Sequence, residues 1–232
     1  MPDVIAGPER DPEGVRAMFD DIAPRYDLAN TAMTLGMDRR WRRLTAQVAV
    51  GRRPSVAALD CACGTGRLAA ALLAAGAGSV VAVDFSPQML AIARTRYPRI
   101  EFVLADLRQL PYPDASFDAV SIGFGLRNLP DPDASIREMT RVLRRGGRLV
   151  ILEAVRPEGF ARPALRVAAT VVPRIAGRLA GNPEAYRYLS ETVRTYASAD
   201  DVADWLRRTG LVDVRVRRLG AGAAALVWGS VD

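Results

Sequence analysis

A chain of 232 residues, half of them apolar and a quarter charged, is sized and balanced for one α/β domain whose sheet is covered on both faces. Its net charge of +6 rests entirely on arginines spread along the chain, which fits a generally basic enzyme better than a nucleic-acid binder, and no apolar run reaches the roughly 18–20 residues of a membrane span. With no His and no Lys, the chain excludes Ser-His-Asp hydrolysis, His-ligated zinc, Schiff bases, P-loops and the Tyr/Lys pair of short-chain dehydrogenases.

Residues 1–11, punctuated by Pro2, Gly7 and Pro8, read as a disordered polar tail without a signal-peptide pattern, and a cytoplasmic protein is expected. From Gly14 to Tyr26, Val15, Met18, Phe19 and Ile22 fall at helical spacing, and Pro24 is expected to stop that helix. Asp27 to Val50 reads as one or two more helices, with Met37 to Arg42 at their junction. Residues 1–50 thus form an N-terminal helical cap, either packed against the sheet or closing over a ligand as a lid.

The chain then alternates in the doubly wound manner, with strands expected at 56–60, 80–84, 100–105, 118–123 and 148–154. Helices are expected at 66–76, 86–97 and 134–144 between them. Ser86-Pro87 supplies a capping hydroxyl and a proline at the first helical position. Arg144-Arg145-Gly146-Gly147 reads as the turn into the fifth strand. Residues 51–155 are therefore a cofactor-binding core, with Asp60, Asp84 and Asp106 at the carboxyl ends of three strands, where open parallel sheets bind ligands.

Residues 156–196 interrupt the alternation as a helical insertion or lid. Across 157–183, Arg162, Arg166, Arg174 and Arg178 recur at multiples of four among apolar residues, with Pro173 as a break. That pattern suits a packed helix with a solvated face, or a basic amphipathic segment resting on an anionic membrane. Helices at 184–196 and 199–209 follow. The region 197–232 closes with strands at 211–219 and 223–231, joined through Gly220-Ala221-Gly222 as a hairpin on the sheet edge.

The stretch Val56 to Ala69 runs from an apolar strand through a glycine turn into an Ala/Leu helix. Gly64 and Gly66 let a ligand approach the backbone, and the helix beginning there presents unpaired N–H groups. Gly64-x-Gly66-x-x-Ala69 also satisfies the dinucleotide fingerprint, with Asp84 at ribose-binding distance. Asp60 favours S-adenosylmethionine over NAD, because a carboxylate there can meet a methionine ammonium and would repel a pyrophosphate. Asp106-Leu107, after the third strand, suits an adenine edge. Missing lysine counts further against an NAD-dependent oxidoreductase. Cys61 and Cys63, the two cysteines, read as small buried residues beside the cofactor, and no metal is expected.

Several longer blocks share one pattern: Met18-Phe19-Asp20-x-Ile22-Ala23-Pro24-Arg25-Tyr26-Asp27-x-x-Asn30, Leu35-Gly36-Met37-Asp38-Arg39-Arg40-Trp41-Arg42, Ala62-Cys63-Gly64-Thr65-Gly66 and Asp84-Phe85-Ser86-x-x-Met89-Leu90. Phe124-Gly125-Leu126-Arg127-Asn128, Glu138-Met139-x-Arg141-Val142-Leu143 and Tyr186-Arg187-Tyr188-Leu189-x-Glu191 continue it. From about residue 15 to the C-terminus the chain resembles the ubiquinone/menaquinone C-methyltransferase family. The resemblance implies a seven-stranded class I methyltransferase (Rossmann-like) sheet with an N-terminal helical cap and a C-terminal antiparallel hairpin. It implies S-adenosylmethionine as methyl donor and a ring carbon of a prenylated quinol, such as demethylmenaquinol, as acceptor.

By the same resemblance Asp84 lies on the cofactor ribose, with Phe85 and Met89 in its motif, and Asp106 and Leu107 lie at the adenine. Gly64, Thr65, Gly66 and Ala69 run along the methionine and ribose, and Gly123 lies near the sulfonium. Arg127, always charged, is expected to stabilise a phenolate or hold a water that takes the proton, while Asn128 and Tyr26 orient the ring or that water. The alternative is that Arg127 and Asn128 only brace the turn after strand four. Expected partners are a small lipophilic quinol, the inner face of the membrane through 157–183, and a second copy in a homodimer. Arg67 departs from the family's acidic residue, as do Glu153-Ala154-Val155-Arg156-Pro157, Tyr196-Ala197 and Val227 from its usual text. These departures leave another electron-rich aromatic or polyketide as the alternative acceptor.

Overall fold

The computed structural model describes residues 12–156 and 196–232, with Val172, Thr192 and Val193. Helices α1 (Pro12–Met33) and α2 (Met37–Val50) precede β1 (Ala57–Cys61), α3 (Arg67–Ala74), β2 (Ser79–Asp84), α4 (Pro87–Arg96), β3 (Glu101–Leu104) and β4 (Phe117–Gly123). A short 3₁₀ turn (Leu126–Asn128) leads to α5 (Pro132–Arg141) and β5 (Leu143–Ala154); α6 (Ala199–Arg208), β6 (Val212–Leu219) and β7 (Ala224–Ser230) complete the described chain. The seven strands form one sheet in the order β3-β2-β1-β4-β5-β7-β6. The first five are parallel, and β7 runs antiparallel between β5 and β6.

Strand side chains alternate between two buried layers, as the period of two requires. Leu59, Cys61, Val120, Ile122, Leu149 and Ile151 face α5 and α6, where Ile136, Met139, Trp205 and Leu206 meet them. Ala58, Ala119, Val150 and Leu152 face the opposite way, onto Trp41, Ala46 and Leu72 of α2 and α3. Both faces are covered, so the strands read as near-continuous apolar runs.

Two local expectations are corrected. The first helix does not stop at Pro24 but runs through it to Met33. A proline inside a helix costs about 3 kcal/mol. Here Pro24 is exposed, and the stripe on either side of it (Phe19, Ile22, Ala23, Ala29) is buried with Met89 of α4. Burial of Phe19 and Ile22 alone is worth roughly 1.5–3 kcal/mol each, which outweighs the lost hydrogen bond. The second correction concerns Arg144 to Gly147. Leu143 already pairs with Phe117, and the register shift before Arg148 pairs with Ala119 makes this stretch an irregularity inside β5. The other elements begin and end within about three residues of expectation, the largest difference being the helix expected at 134–144 and found at Pro132–Arg141. The expected helix at 184–196 and the basic segment at 157–183 lie outside the described residues, apart from Val172, Thr192, Val193 and Tyr196, as does the tail at 1–11.

Candidate active site

The crevice lies where β1 and β4 are neighbours and the chain's connections diverge, at the carboxyl edge of the sheet. Leaving β1, Ala62 takes a left-handed conformation (φ 48°), and leaving β4, Phe124 does the same (φ 62°). The two turns touch, since a Cβ on Gly125 would lie 2.7 Å from the Cβ of Ala62. Gly66, also left-handed at φ 80°, caps α3 with its back against the rings of Phe102 and Tyr97. Gly66→Ala would combine an unfavourable φ with a Cβ 2.9 Å from Phe102 Cζ. We expect a loss of about 2–3 kcal/mol, read as a fall of about 4–10 °C in thermal midpoint. An unchanged melting curve would refute that account of the turn.

Asp84 ties this turn to β2. Its carboxylate accepts hydrogen bonds from the Gly64 amide (2.7 Å) and the Ser86 amide (2.9 Å). Ser86 in turn caps α4 by accepting from the Met89 amide, with Pro87 at the first helical position, as its sequence indicates. Burial pushes the Asp84 carboxyl up to about 6, against the lowering effect of the amides of Ser86 and Gly64.

Asp60 carries the sharper signal. Its Oδ1 accepts from Ser121 Oγ at 2.7 Å, while Oδ2 is buried without a hydrogen-bond partner. Burial lifts this carboxyl to about 7, although the Ser121 hydroxyl, the Arg42 charge and the Ala69 amide all pull it down. An unsatisfied carboxylate oxygen in the interior is costly unless a ligand donor completes it.

Asp60 lines a small depression together with Tyr26, Cys63, Gly64, Thr65, Arg42 and Arg67. Asp38 of α2 is fully buried and pairs with both arginines, with Arg42 one helical turn on and with Arg67 Nη1 at 2.9 Å. Thr65 Oγ1 donates to Asp27 at 2.8 Å, and Asp27 also pairs with Arg96. Arg67, the departure in the glycine motif, therefore ties α3 to the cap through Asp38. A carboxylate and two guanidiniums in one depression suit a zwitterion: Asp60 would hold the ammonium of an amino acid, and Arg42 or Arg67 its carboxylate. A dinucleotide pyrophosphate would bring its charge against Asp60.

Beside this depression opens a cavity of about 120 Å³. It gathers nine of the residues singled out in the sequence: Tyr26, Gly64, Asp84, Phe85, Met89, Asp106, Leu107, Gly123 and Asn128. Leu107 is buried, whereas Asp106 is exposed and its carboxylate is held by Arg108, which lowers its pKa. Asp60, Cys63 and Thr65 line the smaller depression instead. Cys61 and Cys63 are both free and buried, and burial raises both thiols.

Gly66, Ala69 and Arg127 line neither space. Arg127 sits in the turn after β4, where its guanidinium pairs with Glu153 of β5 and donates to the Phe124 carbonyl at 2.9 Å. Its own amide also donates to Glu153, while its Nε is buried without a partner. Asn128 donates weakly to the same carbonyl (3.4 Å), and its Oδ1 is unpartnered. Phe19 and Phe124 add aromatic walls that sequence reasoning did not assign. Phe124 also stacks near Trp41 and under Arg42, 5.3 Å from its ring centre, linking cap to cavity.

The sheet order, the reversed last strand and a glycine turn beside an unsatisfied carboxylate define a class I, Rossmann-like methyltransferase. The fold is shared with an S-adenosylmethionine-dependent methyltransferase of Thermotoga maritima (TM-score 0.67, 20% identity, covering 94% of this chain and 100% of that one). It is shared also with one of Aquifex aeolicus (TM-score 0.58, 19% identity, 82% and 89% covered). The chain belongs to the ubiE/COQ5 methyltransferase family, whose model matches residues 8–231. It is 42% identical over 220 residues to a demethylmenaquinone methyltransferase of Renibacterium salmoninarum, covering 94% of this chain and 92% of that protein. A protein of the same name from Beutenbergia cavernae is 44% identical, with 94% and 91% covered. The methyl donor is S-adenosylmethionine.

Proposed function

We propose that this enzyme methylates a ring carbon of a lipophilic quinol of the demethylmenaquinol type. The observation that carries the site assignment is the buried, unpartnered Oδ2 of Asp60 beside the Gly64–Gly66 turn. Full-length similarity to relatives named for demethylmenaquinone supports the acceptor. Bound in the depression and the inner cavity, S-adenosylmethionine supplies an electrophilic methyl group on sulfur. Asp60 would then hold its ammonium and Asp84 its ribose, with Leu107 and Met89 flanking its adenine.

The protein's remaining work is to hold the acceptor in line and assist proton loss. Phe19, Tyr26, Phe85 and Phe124 give an aromatic enclosure for a flat ring and exclude water from it. Loss of a proton from the acceptor's hydroxyl makes the neighbouring ring carbon nucleophilic. The new carbon–carbon bond would form as the carbon–sulfur bond breaks, releasing S-adenosylhomocysteine; the ring hydrogen would then leave as a proton while the ring oxygen regains one, so that one proton is released overall. Asn128 and Tyr26 orient the ring, and the charge of Arg127, beside Asn128 in the turn after β4, favours the phenolate. Incubating the enzyme with methyl-labelled S-adenosylmethionine and chemically reduced demethylmenaquinone should place the label on the ring carbon, as read by mass spectrometry. Donor binding with no ring-methylated product would withdraw the quinol and turn the search to other electron-rich aromatics.

A further inference from the structure

We infer that the α1–α2 corner is the enzyme's contact with an anionic lipid surface, an inference that rests on the lipophilic acceptor proposed above. Three large apolar side chains stand out there: Leu28 is 72% exposed, Leu35 82% and Met37 40%. Leu35 is held at φ 51°, a left-handed position that a glycine or asparagine would occupy with less strain, yet it carries an exposed leucine. Arg39, Arg40 and Arg43 are exposed on the first turns of α2 and form no ion pair among the described residues. Leu28 and Arg39 line the same open depression, and Arg40 follows Met37 by three residues of α2, so apolar and basic groups are neighbours at both points.

Charge identifies the occupant. Between Leu28 and Arg43 the one carboxylate is Asp38, which is fully buried and committed to Arg42 and Arg67. Asp27, which lines the same depression as Leu28 and Arg39, is taken up by Arg96 and the Thr65 hydroxyl, so the net charge this corner presents is positive. Apolar tips flanked by unpaired arginines match the boundary between anionic headgroups and acyl chains, where leucine and methionine insert and guanidiniums stay at the phosphates. A neutral protein partner would leave those arginines uncompensated. Among the described residues no helix is long and apolar enough to cross a membrane. The corner is continuous with α1, whose Phe19 and Tyr26 line the cavity.

The test is co-sedimentation of the full chain with vesicles of phosphatidylglycerol and phosphatidylcholine, against phosphatidylcholine alone, at low and high salt. We expect binding to the anionic vesicles that weakens with salt. The variant Leu28→Gln/Leu35→Asn/Met37→Gln should partition at least tenfold less, and Arg39→Gln/Arg40→Gln/Arg43→Gln should lose the preference for phosphatidylglycerol. Both should keep wild-type affinity for S-adenosylmethionine, which shows that they fold. Both should also keep wild-type turnover on a short-chain, water-soluble quinol, an assay that reports on the proposed reaction independently of lipid. Equal partitioning of the apolar variant and the wild type, or no preference for anionic vesicles, overturns the inference. So does a wild-type dimer in sedimentation velocity that the apolar variant loses, which would make the corner an interface between copies.

Discussion

Asp60→Asn is expected to weaken S-adenosylmethionine binding about ten- to a hundredfold while making the unliganded protein more stable at pH 8. The binding loss follows from replacing a charge-assisted partner of the ammonium by an amide, a change of roughly 1.5–3 kcal/mol. The stability gain follows from linkage. Burial raises this carboxyl from 3.8 to about 7 in the folded protein, so folding favours its neutral form. Its contribution to stability is then full below about pH 4 and is lost as pH rises through 7. Asparagine keeps the shape and an acceptor for Ser121 without that loss. Asp84, raised to about 6 by burial, stays in both proteins, so the difference between their melting profiles isolates Asp60. Cofactor affinity of the wild type should fall as pH drops below 7, because the ammonium needs the ionised carboxylate. Binding of 5′-methylthioadenosine, which lacks the amino-acid end but keeps the ribose, should not respond to the substitution. Calorimetry on both ligands checks this. Equal loss for both would show that the substitution had merely disturbed the turn.

The parts of this site that were legible in the sequence are those whose cause is local. Strand alternation, the Ser86-Pro87 start of α4 and the Gly220–Gly222 hairpin depend on neighbouring residues, and all are realised. The placement of Asp60 and Asp84 was legible because the last residues of a strand in a parallel sheet fall on the ligand edge. Pro24 was misread because its local cost is opposed by a stripe that packs on α4, a partner the helix text does not mention. The Asp38–Arg67 pair joins the cap to the glycine turn across a distance in sequence that no periodicity encodes. Glu153 opens a block that departs from the family text at the two residues after it, and nothing in the sequence pairs it with Arg127; the fold reveals it as that residue's counter-ion. The left-handed backbone of Phe124, a residue type that gives no hint of it, aims the loop that closes the cavity.

The Arg127–Glu153 pair separates two roles that the sequence left open, bracing and chemistry. Arg127→Ala should lower kcat by about a hundred- to a thousandfold, within the range of lost acid–base or charge assistance, with donor affinity changed less than threefold. The pair is buried on both sides, so the same substitution strands Glu153 and should destabilise the fold by about 3–5 kcal/mol. Stability loss alone does not discriminate, and the double variant Arg127→Leu/Glu153→Leu is needed. It removes the stranded charge and should recover most of the stability, since apolar replacements of a buried ion pair are often neutral or better. If Arg127 only braces the turn, turnover should recover with it. If its charge favours the phenolate, kcat stays low and the pH–rate profile keeps its loss at neutral pH, with activity rising only as the acceptor hydroxyl ionises unaided at higher pH. Arg127→Lys, which retains the charge but not the planar fork that meets Glu153 and the Phe124 carbonyl, should fall between the two and keep the wild-type pH dependence. Single-turnover methyl transfer from pre-bound donor, measured from about pH 6 to 9, reads that limb directly. A double variant with wild-type kcat would remove Arg127 from the chemistry and leave Asn128 and Tyr26, both on the cavity wall, as the groups that meet the acceptor.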